Sequence, residues 1–140
     1  MKKLLCTFLS MLFIVTLMAP SVCLAVEEEP FEPPIDIDEY TLTTSISASL
    51  TISGGVANVA GRVGAKYSDA HCSIRVSLQK KNSNGSWSSV KTWTASGTSS
   101  ISTGGTYSVS SGSYRTCVTA TITRNGSYEY PFKYSATKTC

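Results

Sequence analysis

A strict alternation of apolar and polar residues in residues 71–81 limits this chain to β-structure. Cys72, Ile74, Val76 and Leu78 alternate there with polar side chains. Successive side chains of a β-strand point to opposite faces, so a period of two buries one face and leaves the other polar. Similar short runs recur through the last hundred residues and are separated by clusters of Gly, Asn and Ser. The pattern predicts an antiparallel, all-β domain.

The number of such runs predicts an immunoglobulin-like β-sandwich of about seven strands, a usual size for a domain of about a hundred residues. The runs cover residues 42–52, 56–66, 71–81, 86–95, 104–109, 113–123 and a last stretch from Tyr128 towards Thr139. Asn125-Gly126 predicts a two-residue type I′ turn before that last stretch, because both residue types tolerate a positive φ. Pro131 cannot donate to a strand ladder, so we expect an edge or a bulge there.

The first 25 residues have the features of a secretory signal peptide. Lys2 and Lys3 precede an apolar run from Leu4 to Met18, and the small residue Ala25 ends a segment suited to cleavage. The run is shorter than the roughly 20 residues that a membrane span needs. We therefore expect residues 1–25 to be removed and the protein to be secreted, either released or held at the cell surface. No membrane contact is expected after cleavage.

Charge is divided sharply between residues 26–40 and residues 41–140. The first segment holds seven acidic residues, three prolines and no basic residue, so we expect an acidic, disordered leader. Residues 41–140 hold ten of the twelve Lys and Arg residues but only two of the nine acidic ones, so the domain carries +8 and the leader −7. One interpretation is a solvated leader that folds loosely back on a basic domain. The other is a basic surface for an anionic polymer, with the leader as a competitor.

Residues 78–93 predict a β-hairpin with two tryptophans, whose orientation depends on the register. A five-residue loop, which keeps an apolar pair facing the core, gives the pairs Lys81–Trp87, Leu78–Val90 and Arg75–Trp93. It turns both tryptophans outward, and we favour it. A four-residue loop pairs Trp93 with Ile74 and turns both tryptophans inward, because a shift of one residue reverses every side chain. Outward-facing Trp side chains beside Arg and Lys make cation–π contacts or offer a flat platform for sugar rings.

Several short motifs resemble the landmarks of bacterial immunoglobulin-like modules. They are Leu78-Gln79, Asn84-Gly85-Ser86-Trp87, Val90, Gly105-Thr106-Tyr107 and Gly112-Ser113-Tyr114-Arg115. The chain as a whole is similar to a family of small secreted proteins from clostridia-like bacteria, which have a single immunoglobulin-like domain and no assigned function. The resemblance implies that Tyr114 forms a tyrosine corner, with its hydroxyl bonded to nearby backbone. It supports a fold more than an activity.

The residues do not form a catalytic or metal-binding pattern. His71 and Cys72 are neighbours on a predicted strand and point to opposite faces, so they do not form a base–nucleophile pair. Asp69 and Glu129 are far apart in the sequence, and the cysteines lack the spacing of metal ligands. We expect no catalytic residue, no metal and no cofactor.

Three cysteines remain after removal of the signal peptide: Cys72, Cys117 and Cys140. Strand parity places Cys72 inward and Cys117 outward, which argues against a bond between these two. Cys140 lies at the end of the sequence, where it could reach either. The pairing stays open, since three cysteines allow three pairings with one thiol left over.

The sequence favours a secreted, non-catalytic binding module for a glycan or an anionic cell-envelope polymer. Its candidate ligand-binding residues are Trp87, Trp93, Arg75, Lys80, Lys81 and Lys91. One alternative is an adhesin-like or inhibitor-like module that presents loops or an edge strand to a protein partner. Another is a secreted structural protein without a ligand. None of these interpretations involves nucleic acid.

Overall fold

The computed structural model describes residues 40–140 and the backbone of Glu27–Glu28. The predicted signal peptide and the rest of the acidic leader lie outside the described residues. The regular structure in this part of the chain is entirely β-strand. The strands are β1 (Glu27–Glu28), β2 (Thr43–Ser53), β3 (Val56–Ala65), β4 (His71–Lys81), β5 (Trp87–Thr98), β6 (Ser100–Ser108), β7 (Ser113–Arg124), β8 (Ser127–Glu129), β9 (Phe132–Tyr134) and β10 (Thr137–Thr139).

The strands form two antiparallel sheets. The smaller sheet has the order β2-β3-β6, and the larger sheet has the order β1-β10-β7-β4-β5. In the larger sheet β8 and β9 also pair with β7, beside β10. This arrangement confirms the predicted all-β, antiparallel sandwich, while the exact immunoglobulin-like topology stays a prediction.

The core lies between the sheets and is built from the inward side of the alternating strands. The smaller sheet contributes Leu50, Val59 and Val63, and the larger sheet contributes Ile74, Val76, Leu78, Val118 and Ile122. The sheets approach closely at Gly61, where an added Cβ would lie 2.5 Å from Val76 Cγ2. A side chain at Gly61 would therefore separate the two sheets.

The last predicted strand is instead three short strands along one edge of β7. Pro131 separates β8 from β9, because it has no N–H to donate to a ladder. Its carbonyl still accepts a hydrogen bond from Ala120 N at 2.9 Å, so the segment stays attached to the edge. The turn before β8 is the predicted one: Asn125 and Gly126 have φ values of 51° and 80°.

The β4–β5 hairpin begins in the register of the five-residue loop and then departs from both registers that the sequence allowed. Lys81 pairs with Trp87, as the five-residue loop predicts. Between Gln79 and Leu78 the register then shifts, since Gln79 pairs with Ser89 and Leu78 pairs with Lys91. Val90 is therefore the extra residue of a β-bulge, which changes the parity of every later residue in β5.

The bulge sends the two tryptophans to opposite faces. Trp93 pairs with the buried residue Val76, so both predicted partners of Trp93, Arg75 and Ile74, are wrong. Its side chain packs against the core, and a Cβ added to Gly105 in β6 would lie 2.6 Å from Trp93 Nε1. The predicted Leu78–Val90 pair is also wrong, because the extra residue has no direct partner. Val90 nevertheless packs partly buried against the core, and Leu78 is fully buried.

A single carboxylate fastens the start of β2 to the end of β8. Glu129 Oε1 accepts hydrogen bonds from Thr41 N, Thr41 Oγ1 and Leu42 N at 2.6, 2.9 and 2.8 Å. Glu129 Oε2 accepts from Thr43 N at 2.9 Å and from Thr43 Oγ1 at 2.8 Å. Burial of the carboxyl group raises its pKa, but these hydrogen bonds outweigh that effect and hold the pKa of Glu129 below its usual value. We call this group of contacts the Glu129 clamp.

Tyr114 behaves as the resemblance implied. Its side chain is buried, and its hydroxyl donates to the backbone carbonyl of Ser110 at 2.9 Å.

At the edge of the larger sheet, the backbone of Glu27–Glu28 pairs with Lys138 and Thr137 of β10, so two residues of the acidic leader adjoin the larger sheet.

The cysteines follow the predicted strand parity. Cys72 is completely buried and Cys117 is partly exposed, and both are free thiols. Cys140 is disulfide-bonded. Since Cys72 and Cys117 are free, no bond joins any two of these three cysteines. Burial raises the pKa of both thiols, so neither is an activated nucleophile.

Candidate binding surface on the larger sheet

The outer face of the larger sheet points away from the smaller sheet and carries cationic and aromatic side chains. Val76 and Val118 are paired with each other and buried in the core. Their neighbours along β4 and β7 therefore point outward. Arg75 pairs with Thr119, and Thr119 also pairs with Phe132 of β9, so these three side chains lie side by side on the outer face.

Arg115 is held between two aromatic rings on this face. Its Cζ atom lies 4.3 Å from the centroid of the Trp87 ring and 4.0 Å from the centroid of the Tyr134 ring. Its Nε atom donates to Gln79 Oε1 at 2.9 Å, which fixes the guanidinium plane. Each such cation–π contact contributes about 0.5–1 kcal/mol at an open site. Arg115 thus positions the two rings, and we call Trp87, Arg115 and Tyr134 the arginine stack.

A row of aromatic side chains continues from the arginine stack along the sheet edge. It consists of Tyr134, Phe132, Tyr130 and Tyr128, which alternate in the sequence with Lys133, Pro131 and Glu129. The side chains of Tyr128, Tyr130 and Phe132 are 59%, 66% and 45% exposed, whereas Pro131 is fully buried. The rings of Phe132 and Tyr134 meet edge to face, with centroids 5.9 Å apart. Because alternate residues of a strand lie about 6.6 Å apart, the four rings extend over about 20 Å. We call them the aromatic row.

A cavity of about 440 Å³ opens between the aromatic row and the centre of the sheet. Arg75 and Ser73 of β4 face Thr119 and Thr121 of β7 across its floor. Phe132 and Tyr130 of the aromatic row form a wall. The volume lies within the range of small-molecule pockets, which is about 300–1,000 Å³.

The structure brings together only part of the predicted binding set. Arg75, Lys81 and Trp87 share the outer face, since Lys81 pairs with Trp87 and has the same strand parity as Arg75. Trp93 packs against the core instead. The bulge therefore removes one of the two expected tryptophans from this surface.

The other two predicted cations lie elsewhere. Lys80 has the inward parity of its partner Tyr114; its Nζ lies 5.4 Å from the Tyr114 ring centroid and donates to Ser110 Oγ at 3.0 Å. Lys91 is exposed at the bulge, opposite the core residue Leu78. Both lysines therefore lie apart from the arginine stack.

Sequence reasoning did not select Arg115 or the aromatic row. A usable signal was present in Tyr128-Glu129-Tyr130-Pro131-Phe132-Lys133-Tyr134, where every second residue is aromatic. A period of two predicts that these rings share one face. It does not say whether that face is the core or the solvent, because aromatic residues at alternate positions are normal for buried faces.

The two carboxylates of the domain are both occupied. Asp69 Oδ1 lies 2.7 Å from Arg124 Nε, and this hydrogen bond holds the pKa of Asp69 below its usual value. Glu129 is saturated by its clamp. His71 is exposed while Cys72 is buried, so these neighbours do point to opposite faces. Within residues 40–140, no group of three or more His, Cys, Asp or Glu residues is placed to hold a metal ion.

No protein-family model matches the chain, and no curated protein or solved structure is significantly similar to it. In the described part of the chain, no helix is long and apolar enough to cross a membrane.

Proposed function

We propose that the protein is a secreted, non-catalytic binding module whose outer sheet face binds a glycan or a cell-envelope polymer. The observation that carries the proposal is the continuous surface formed by the arginine stack and the aromatic row. Rings that a folded domain leaves exposed in a contiguous patch are typical of an interaction surface. The residues of this surface are Trp87, Arg115, Tyr134, Phe132, Tyr130, Tyr128 and Arg75.

The shape and chemistry of the surface suit an extended polymer better than a compact ligand. The aromatic row is about 20 Å long by strand geometry and follows the sheet edge. Its rings supply apolar faces, and the strands beside it supply hydroxyl groups from Ser and Thr. The domain is also strongly basic, since residues 41–140 hold ten Lys and Arg residues and only two acidic residues. A net positive surface attracts anionic polymers.

The proposal includes no catalytic role because both acidic residues of the domain are bound by other groups of the protein. General acid–base catalysis most often uses an imidazole or a carboxyl group within reach of the substrate, with a pKa suited to proton transfer. Asp69 and Glu129 have lowered pKa values and are held by protein donors. Neither lines the cavity beside Arg75.

A co-sedimentation experiment tests the proposal. The purified protein is mixed with insoluble cell walls and with insoluble polysaccharides, and the bound fraction is measured at low and high salt. Phe132→Ala and Trp87→Ala should lose most of the binding while keeping the melting temperature of a folded domain. Tyr107→Ala is the matched control, because Tyr107 is 38% exposed on the smaller sheet. Equal losses in Phe132→Ala and Tyr107→Ala would contradict a site on the outer face.

Salt distinguishes the two ligand classes within the proposal. Binding through ring contacts with a neutral glycan persists at high salt, whereas binding to an anionic polymer weakens, because salt screens exposed charges. Export is tested separately. The protein recovered from culture medium should begin at Val26 if residues 1–25 are a cleaved signal peptide.

A second candidate is a protein–protein module that binds through an edge strand, in keeping with the proposed relationship to secreted immunoglobulin-like proteins. The observation that favours it is β2, an eleven-residue strand with no charged residue and no proline. In the described part of the chain, β2 pairs with β3 and with no strand on its other side. Uncharged open edges accept a strand from a partner. Ser47→Lys would add a charge to this edge and should abolish such a complex without affecting polymer binding.

A further inference from the structure

The cavity beside Arg75 has a floor of hydroxyl groups and a wall of aromatic rings. Ser73 and Thr121 form one pair across β4 and β7, and Arg75 and Thr119 form the next. All four line the cavity together with Tyr130 and Phe132. The site thus offers hydrogen-bond donors and acceptors below, ring surface at the side and one positive charge.

Arg75 differs from the other arginines of the described residues in having no partner among them. Arg115 is stacked between two rings and bonded to Gln79. Arg124 is paired with Asp69 and stacked on a tyrosine ring. Arg62 Nε donates to Ser100 Oγ at 3.2 Å. Arg75, by contrast, forms no hydrogen bond, salt bridge or cation–π contact within residues 40–140.

An arginine without an acceptor that lines a cavity is suited to an anionic ligand. The guanidinium group carries five N–H donors in a planar fork and no acceptor, so it pairs best with a carboxylate or a phosphate through two parallel hydrogen bonds. The carboxylates of Asp69 and Glu129 are engaged elsewhere and do not line the cavity. Within residues 40–140, the charge of Arg75 is therefore available to a ligand.

The surroundings of Arg75 restrict which anion fits. A bare inorganic anion would leave the rings of Tyr130 and Phe132 uncovered and would use few of the floor hydroxyls. A sugar ring that carries an anionic group uses all three features: its apolar face covers an aromatic ring, its hydroxyls bond to Ser and Thr, and its charged group pairs with Arg75.

We propose that the Arg75 cavity is a subsite for an acidic sugar, in which Arg75 binds the anionic group and Phe132 and Tyr130 contact the sugar ring. The anionic group is a carboxylate, as in a uronic acid unit, or a phosphate, as in a sugar-phosphate polymer. This inference rests on the proposed binding function and specifies its ligand. It also assigns different roles to the two arginines of the surface: Arg115 positions rings, and Arg75 contacts the ligand.

Calorimetric titration of the purified protein with defined saccharides tests the subsite. The probes are tri-galacturonate, the same trisaccharide with its carboxyl groups methyl-esterified, and purified wall teichoic acid as the phosphate polymer. The variants are Arg75→Gln and Arg62→Gln. Each removes one positive charge, but Arg62 lies on β3 of the smaller sheet and therefore controls for the overall charge.

The unmodified protein should bind tri-galacturonate or teichoic acid, and the stronger of the two identifies the anionic group. Arg75→Gln should weaken that binding by about tenfold or more, because the charge-assisted hydrogen bonds between the guanidinium group and the anion are lost. The affinity of Arg62→Gln should stay within about twofold of that of the unmodified protein. This variant removes the same charge, but Arg62 lies on the smaller sheet and does not contact the ligand. If a carboxylate is bound, the methyl ester should bind as weakly to the unmodified protein as the acid binds to Arg75→Gln.

Three results would overturn the inference. In the first, Arg75→Gln and Arg62→Gln weaken binding equally, which would mean that only the net charge matters. In the second, the esterified and acidic trisaccharides bind equally well and Phe132→Ala abolishes both, which would leave the binding function standing without an acidic subsite. In the third, neither anionic probe binds, whatever happens in the cell-wall assay.

Discussion

The Glu129 clamp makes a strong prediction about stability, because one carboxylate satisfies five donors of three consecutive residues. In Glu129→Gln the amide oxygen can replace Oε1, but the amide NH2 replaces Oε2 and faces the backbone N–H of Thr43. The N–H of Thr43 therefore loses its acceptor, and because Thr43 is buried, water does not replace it. A buried unsatisfied donor costs about 1–3 kcal/mol, and the hydrogen bonds that remain lose their charge assistance.

We expect Glu129→Gln to lower the free energy of unfolding by about 2–3 kcal/mol at pH 7. For a domain of about a hundred residues, this loss corresponds to a decrease in melting temperature of about 8–20 °C. Urea denaturation followed by tryptophan fluorescence measures the free energy, and differential scanning calorimetry measures the melting temperature. Asp69→Asn is the control, because Asp69 is the other carboxylate of the domain but forms an exposed pair. Its effect should be much smaller.

The difference in stability between the unmodified protein and Glu129→Gln depends on pH with a definite sign. The folded-state pKa of Glu129 lies below its unfolded value of about 4.3, so the folded state holds the proton less tightly. The stability that the charged group contributes is therefore complete above about pH 5 and is lost as the pH falls through the folded-state pKa. The difference between the unmodified protein and Glu129→Gln should narrow below pH 4. A loss under 0.5 kcal/mol at pH 7, or a difference that stays constant down to pH 2.5, would refute the reasoning.

Three further predictions concern the core. Trp93→Ala should lower the free energy of unfolding by about 3 kcal/mol in urea denaturation, because the Trp93 ring packs against the core. Trp87→Ala should lower it by less than about 1 kcal/mol, because the Trp87 ring lies on the outer face against Arg115. Similar losses in the two variants would contradict the bulged register. Gly105→Ala should lower the free energy of unfolding by about 1–3 kcal/mol, because the added Cβ would overlap with Trp93 Nε1. The loss should be smaller in a Trp93→Phe background. A double-mutant cycle without coupling would argue against this contact. Tyr114→Phe should cost about 1 kcal/mol in the same denaturation assay, because the Ser110 carbonyl loses its donor; an unchanged midpoint would contradict the corner.

The candidate surface was only partly predictable from the sequence. Cations and both tryptophans were expected on the outer sheet face, and the structure places Trp87, Arg75 and Lys81 there but turns Trp93 to the core. The alternating aromatic residues of 128–134 were readable as one face, but not as an exposed one. Which face of an edge strand is buried depends on what packs beneath it, and the sequence of that strand alone does not contain this information.

The sequence by itself determined the elements whose signal is local. The period of two in β4 and β7 specifies which residues enter the core, and Asn125-Gly126 specifies its turn through the φ preferences of two residues. The parity of Cys72 and Cys117 followed from the same periodicity.

Only the tertiary structure decided where Trp93 points and what Arg75 faces. Trp93 turns inward because one extra residue at Val90 reverses the parity of β5, and the space above Gly105 in the other sheet accepts the ring. Arg75 lines a cavity because β9, more than fifty residues later in the chain, pairs with β7 and places Phe132 beside it. Both outcomes depend on contacts between strands that are distant in sequence, and no local pattern of residues specifies such contacts.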